Sequence, residues 1–256
     1  MTTRILTRRQ MLLRGSSALG ALLLAGCDRM SNSPSFRHLL DSAETLSYRS
    51  QRLLTARNAL AREFKRADLS PVFRSNGTSA PDSDDYTALL ADDFRQWRLK
   101  ISGLVERPQT LSLNDLRAMS ARTQITRHDC VEGWSAIGEW TGVPLSAVLN
   151  TTVLKPGARY VVFYCADTLE AGAGSYYESI DLIDAFHPQT ILAYDLNGKP
   201  LPVANGAPLR LRVERQLGYK HAKYLMSIQV VQYLGVIGGG KGGFWEDRGY
   251  EWYAGI

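Results

Sequence analysis

From Trp97 onward the apolar residues of this chain fall into short runs divided by turn-forming residues, and that spacing restricts the fold more than any other feature. Leu99 and Ile101, with Leu104-Val105 after Gly103, suggest one strand. Tyr160 to Tyr164, Thr190 to Leu196, Leu209 to Val213 and Tyr224 to Leu234 suggest others. Asn197-Gly198, set between Leu196 and Lys199, predicts a hairpin, because both central positions of a type I′ turn need positive φ. Short helices fit between the strands: Ser112-Leu113-Asn114-Asp115 has the form of a capping box, and Asp181 is placed to cap Leu182 to Phe186. Regular alternation of strand and helix is absent, which argues against a doubly wound parallel sheet. The expected fold class is α+β, strand-rich with a mixed sheet.

The segment before this domain reads as an address. Arg8-Arg9 precede an apolar run, Ala18 to Ala25, that ends at Gly26-Cys27, the order of an export signal. The run falls far short of the ~20 residues that span a hydrocarbon core. The arginine pair resembles the twin-arginine signal, with Met11 where that pattern usually has Phe. Leu24-Ala25-Gly26-Cys27 resembles a lipobox, which makes Cys27 a candidate lipid anchor; the plainer alternative is an ordinary signal peptide cleaved nearby. Asp28 resembles an inner-membrane retention signal, so the expected location is periplasmic and tethered to the inner membrane. The formal charge of +5 falls to +1 when Arg4, Arg8, Arg9 and Arg14 leave with residues 1–26, which hold no acid. The basicity therefore belongs to the leader, and no nucleic-acid partner is expected.

Residues 27–72 are read as a tether and an N-terminal helical segment, and residues 73–256 as the main domain. Ser31 to Ser35 looks like the tether, and Leu53, Ala56, Leu60 and Phe64 recur at helical spacing. The arginines crowded there suit either a helix on anionic lipid or a solvated helix face. Asn76 to Asp85 reads as a loop.

Several chemistries can be set aside. Gly238 to Gly243 looks phosphate-friendly, but Gly242 stands where a Walker A loop needs Ser or Thr, so a turn-rich closing segment is the better reading. No His-Glu-x-x-His pair and no Gly-x-Ser-x-Gly elbow occurs, and His38, His128, His187 and His221 are scattered. One cysteine has an informative setting: Arg127-His128-Asp129-Cys130-Val131-Glu132-Gly133-Trp134-Ser135, followed by Trp140-Thr141-Gly142-Val143-Pro144-Leu145. A thiolate suits a metal already bound by sulfur. Arg127 and a protonated His128 would lower its pKa, while Asp129 and Glu132 would oppose that.

Cys-Val-Glu-x-Trp-Ser followed by Trp-x-Gly-x-Pro-Leu resembles the molybdenum-ligand segment of the sulfite oxidase family, and in particular its bacterial protein-methionine-sulfoxide reductase branch. The likeness continues as an ordered series from Phe73 to Val231, through Trp97 to Gly103, Leu192 to Gly198 and Asn205-Gly206-Ala207-Pro208-Leu209-Arg210. The resemblance implies a sulfite oxidase-type molybdopterin-binding domain and a molybdenum-molybdopterin cofactor of unknown nucleotide form. It implies that Cys130 is the catalytic metal ligand and the only protein thiolate on the metal. Asn76, Asn205 and Arg210 would contact the pterin, and His221-Ala222-Lys223 would cradle its phosphate. Cys165 stands where the reductase relatives have a pterin-contacting Thr, and a Cys130–Cys165 disulfide is the competing reading of the pair. Glu214 replaces a proline common after the arginine strand, which puts a true sulfite oxidase pocket in doubt.

The implied activity is two-electron oxygen-atom transfer, leaning to reduction of a small or protein-bound S-oxide. A sulfite-like oxidase and a non-catalytic tethered binding lipoprotein are the alternatives. With no haem-attachment motif in the sequence, electrons would come from a separate partner such as a membrane haem protein.

Overall fold

The computed structural model describes residues 33–170, 172 and 174–256; the leader, with Arg8, Arg9 and Cys27, lies outside them. The chain divides into two compact units, Met1–Leu54 and Thr55–Ile256. The described part of the first is helix α1 (Pro34–Leu54), which begins on a proline whose fixed φ and missing N–H suit a first turn. No described helix is long and apolar enough to cross a membrane.

Two expectations for this region are corrected. Pro34 and Ser35, expected within the tether, are already helical, and Ser31 and Asn32 lie outside the described residues. The helix expected across Leu53, Ala56, Leu60 and Phe64 stops at Leu54. Beyond it the Phe64 N–H bonds to Ile125 O at 2.8 Å, Glu63 bridges Thr126, and Ala61 exchanges backbone bonds with the Gln189 amide. A strand edge and a buried amide offer these groups fixed partners, and such tertiary bonds outweigh a weak helical propensity. Residues grouped by sequence with the tether therefore pack on the second unit.

That unit is built on two five-stranded sheets. In the first, the order is β2 (Gln109–Leu111), β1 (Leu99–Gly103), β10 (Leu225–Val231), β5 (Tyr160–Cys165) and β6 (Tyr177–Asp181), with β1 and β10 parallel and the other neighbours antiparallel. In the second, β3 (Arg122–Cys130) and β4 (Trp134–Pro144) form a hairpin, and β4 pairs with β7 (Ile191–Leu196). β7 carries both β8 (Lys199–Pro200) and β9 (Arg210–Arg212). The first sheet is mixed, the second is antiparallel throughout, and the class is α+β, as expected.

Local chemistry accounts for the joints. Asn197 and Gly198 take φ of 53° and 73° at the β7–β8 turn. Ser112 Oγ accepts the Asp115 N–H while the Asp115 carboxylate accepts the Ser112 N–H, capping helix α3 (Leu113–Ala118; α2 is Asp84–Ala91). Helix α4 (Leu145–Thr152) follows β4, and Asp181 caps α5 (Leu182–Ala185) through the Asp184 N–H. One core draws on both sheets: Leu99, Ile101, Phe163, Ile228 and Val230 from the first meet Val143, Leu192 and Leu211 from the second. Trp97, 1% exposed, lies within it and donates its indole N–H to Leu225 O at 3.0 Å.

Candidate cofactor and active site

The β3–β4 hairpin fixes Cys130. Its ladder runs from Arg122 opposite Gly142 to Cys130 opposite Trp134, so the cysteine is the last paired residue before a tight turn. Gly133 closes that turn at φ +85°, and its N–H bonds to Cys130 O. Strand alternation then sorts the motif: His128 and Cys130 face inward, whereas the Arg127 side chain is exposed and paired with Asp129.

A cavity of about 180 Å³ opens at Cys130. The hairpin turn contributes Val131 and Glu132, the loop before α2 contributes Asn76, and the segment after β5 contributes Asp167 and Leu169. Tyr176, Tyr219, His221 and Lys223 form further wall, and the C-terminal tail adds Trp245 and Tyr250. Of the residues implied by resemblance, Cys130, Asn76, His221 and Lys223 thus line one cavity. Asn205, Arg210, Ala222 and Cys165 are buried but do not line it. Ala222 O is taken by the Leu211 N–H, and Cys165 bonds through its backbone to Tyr176 O. Both Cys130 and Cys165 are free thiols, so they form no disulfide with each other.

The electrostatics correct one expectation. Burial pushes the His128 imidazole well below its ordinary pKa, helped by Arg212, Arg210 and Lys223, so it is neutral and gives the thiol no positive neighbour. The Cys130 thiol is itself raised, chiefly by burial; the Glu132 N–H favours the thiolate, the Glu132 carboxylate opposes it, and Arg74 helps weakly. A thiolate here needs a bound cation to displace its proton. Cys165 is raised further by burial, Asp167 and Glu178, and stays protonated.

Behind the cavity lies a layer of polar groups short of partners. Arg210 is fully buried, donates to Asn205 O at 2.9 Å and His221 O at 3.3 Å, and stacks over Trp140 at 5.0 Å. Among the described residues no carboxylate forms an ion pair with it, and its Nε has no acceptor. Burial and the neighbouring Arg212 lower it to about 9. Arg212, by contrast, is neutralised by Glu214 at 2.6 Å and also donates to His128 Nδ1. Because guanidinium can only donate, His128 carries its proton on Nε2, which is buried without a partner. His221 gives its Nε2 proton to Gln216 O, leaving Nδ1 as a free acceptor. Asn76 Oδ1, Asn205 Nδ2 and Asp167 Oδ1 are likewise unpartnered. Groups of this kind are rarely left unmatched in a native interior, and together they suit a polar, anionic ligand with its own donors and acceptors. Lys223 fits that ligand differently from the expectation, since its ammonium already donates to Ser75 Oγ, Thr78 O and Ala204 O. It clamps the Asn76 loop onto the cavity; burial and Arg210 lower it to about 7.

Glycine allows the close approaches. A Cβ on Gly218 would sit 2.6 Å from His128 Nε2, and one on Gly206, at φ +110°, would sit 2.9 Å from Lys223 Cβ. Asp167, Tyr176, Trp245 and Tyr250 were not singled out from sequence. The aromatic density of Phe244-Trp245 and Tyr250 to Tyr253, inside a tail read only as turn-rich, was the available signal.

The model of the oxidoreductase molybdopterin binding domain matches residues 87–233, more than half of the chain. The chain belongs to this molybdopterin-binding oxidoreductase family. It is an enzyme of that family, and the cavity at Cys130 lies within or beside the matched span. The chain is 37% identical over 251 residues to a protein of Azospira oryzae named as methionine-sulfoxide reductase subunit YedZ1, covering 98% of this chain and 88% of that one. It is 42% identical over 145 residues to the methionine-sulfoxide reductase catalytic subunit MsrP of Xanthomonas campestris, covering 53% of this chain and 45% of that relative. The chain is also similar to the sulfane dehydrogenase SoxCD of Paracoccus pantotrophus, at 24% identity and a TM-score of 0.48 over 54% of this chain and 39% of that one.

Proposed function

We propose that the chain is the catalytic subunit of an S-oxide reductase, with Cys130 as the protein ligand to a pterin-bound molybdenum. One observation carries the proposal: a free inward-facing thiol stands at a cavity backed by Arg210, a buried cation with no carboxylate partner among the described residues. Bound there, the cofactor would supply two-electron oxygen-atom transfer, which the chain's own side chains do not perform. The balance is R₂SO + 2 e⁻ + 2 H⁺ → R₂S + H₂O, with the electrons coming from a separate carrier, proposed to be a membrane haem protein.

The chain's residues would bind, orient and exclude. Cys130 would hold the metal, while Arg210 and the free Asn76 Oδ1, Asn205 Nδ2 and His221 Nδ1 would answer the pterin and its phosphate. The chemistry of the wall favours reduction of a neutral S-oxide over oxidation of anionic sulfite. Val131, Leu169, Tyr176, Tyr219, Trp245 and Tyr250 give it an apolar and aromatic side, and the Glu132 carboxylate would repel an incoming anion. The names of the relatives agree with this direction. The proposed setting is the periplasmic side of the inner membrane, with Cys27 as lipid anchor.

Replacing Cys130 with Ser is the test. Loss of S-oxide reduction together with loss of molybdenum supports the assignment; retained turnover of the holoprotein refutes it.

A further inference from the structure

Beside the cavity lies a charged cluster that the proposed chemistry does not use. Lys220, Glu178 on β6 and Glu246 in the tail are each 0% exposed. The Lys220 ammonium donates to Glu178 Oε1 and to Glu246 Oε1, both at 2.5 Å. Burial opposes the ammonium, but the two carboxyls outweigh it and its pKa rises; burial first, and then Glu246, push the Glu178 carboxyl well above its ordinary value. One lysine therefore faces two carboxyl groups in a dry interior. Removing both carboxyls would leave an uncompensated buried charge, whereas removing one leaves the lysine held from one side only.

The cluster's neighbours along the chain are the cavity's aromatic residues. Tyr219 precedes Lys220, Trp245 precedes Glu246, and Tyr176 stands two residues before Glu178. The Tyr219 and Tyr250 rings meet edge to face at 5.2 Å, and the Trp245 and Tyr250 rings lie 5.3 Å apart, tilted by 38°. Tail backbone lies directly on the carboxyls, since a Cβ on Gly243 would be 1.9 Å from Glu246 Oε2 and 2.8 Å from Glu178 Oε1. The Phe244 N–H also bonds to Tyr177 O on β6, while the side-chain ties of this segment, Tyr219 Oη to Glu251 O and Trp252 Nε1 to Ser179 Oγ, are only part-buried.

We propose that Lys220 is a positioning residue for substrate selection: by bolting Glu246 it fixes Trp245 and Tyr250 as the aromatic wall against which the S-methyl end of a sulfoxide packs. The inference rests on the S-oxide reading above. Sulfur and its methyl group make favourable contacts with aromatic rings, so a fixed wall selects such substrates over compact anions. Although Lys220 precedes His221 in the chain, its hydrogen bonds run to Glu178 and Glu246 and not to Cys130 or Arg210, so loosening the bolt acts on substrate binding and spares cofactor retention.

The experiment compares holoenzyme with Glu246→Gln and Trp245→Leu, measuring molybdenum content, hydrogen exchange over residues 244–252, and KM and kcat for methionine sulfoxide with a reduced dye. Lys220→Met is the direct variant, but it strands two buried carboxyls and risks misfolding; Glu246→Gln keeps the shape, and Trp245→Leu leaves the bolt intact. Both tested variants should keep wild-type molybdenum and raise KM on the order of tenfold, with kcat changed less than about twofold. Glu246→Gln alone should also quicken exchange across the tail. An unmoved KM in either variant, unaltered tail exchange in Glu246→Gln, or a KM rise that tracks lost molybdenum overturns the inference. A wild-type holoprotein that reduces no S-oxide overturns the proposed function and this inference together, whereas wild-type turnover with an unmoved variant KM overturns the inference alone.

Discussion

Arg210 carries a charge that the protein itself does not answer, and this makes its substitution informative. In the cofactor-free protein a fully buried guanidinium with an orphan Nε costs stability, so Arg210→Met should leave the apo-protein as stable or make it more so by about 1–3 kcal/mol. In the loaded protein the same change removes a charge-assisted partner, and molybdenum retention should fall on the order of tenfold or more. Thermal unfolding of both forms beside metal analysis separates the two effects; equal destabilisation of both forms would contradict the reading. The histidines give a pH dependence of known sign. His128 and His221 are held well below their ordinary pKa, first by burial and then, in both, by Arg212. As pH falls below about 6.5 the unfolded chain takes up protons that the folded chain refuses, so stability is full above that pH and is lost on acidification. Each histidine contributes a slope of up to about 1.4 kcal/mol per pH unit, and His221→Gln should flatten the acid limb of a urea-unfolding series.

At the level of strands, the site depends on the register that aligns β9 behind the hairpin. β4 shifts register against β7 between Thr141 and Gly142, and a Cβ on Gly142 would lie 2.2 Å from Leu192 O and 2.6 Å from Ala193 Cα. Both obstacles are backbone, so Gly142→Ala must open the β4–β7 ladder, with a destabilisation of about 3 kcal/mol or more measurable by urea unfolding. Gly142 belongs to the Trp-x-Gly-x-Pro-Leu segment quoted from sequence, but no periodicity reveals what its hydrogen atom faces. The same boundary of legibility runs through the whole molecule. Turns and caps were readable because their causes are local: Asn197-Gly198, the Ser112 box and Asp181 satisfy their own neighbours. The β3–β4 hairpin escaped pattern reading because both of its strands mix buried polar residues such as Gln124, Thr126, His128 and Glu139 with apolar ones, which blurs strict alternation. The supposed helix through Phe64 failed because its rivals, Ile125 O and the Gln189 amide, lie far away in sequence. Cys130 was legible from its motif, whereas Trp245 and Tyr250 meet the cavity through tertiary contacts that no local pattern encodes.

For the molecule as a whole, the interior that would hold the cofactor dictates the order of its assembly. Arg210, His221 and Asn205 are at least nine-tenths buried, and Lys223 ties the Asn76 loop to Ala204 across the cavity, so the groups proposed to grip the pterin come together only in the folded chain. A chain loaded before export has to travel folded, which is the task of the twin-arginine route that Arg8-Arg9 resembles. Replacing both arginines with lysine should then strand a folded, molybdenum-loaded protein with its leader intact in the cytoplasm. On the proposed lipidation of Cys27, Cys27→Ala should leave export and loading unaffected but release the protein from the membrane, because the anchor would then be buried acyl chain at about 0.8 kcal/mol per CH₂. Fractionation followed by molybdenum analysis of each compartment reads both outcomes. Export of the lysine pair with a full complement of metal would mean that loading follows translocation, and would remove the reason for a folded-protein route.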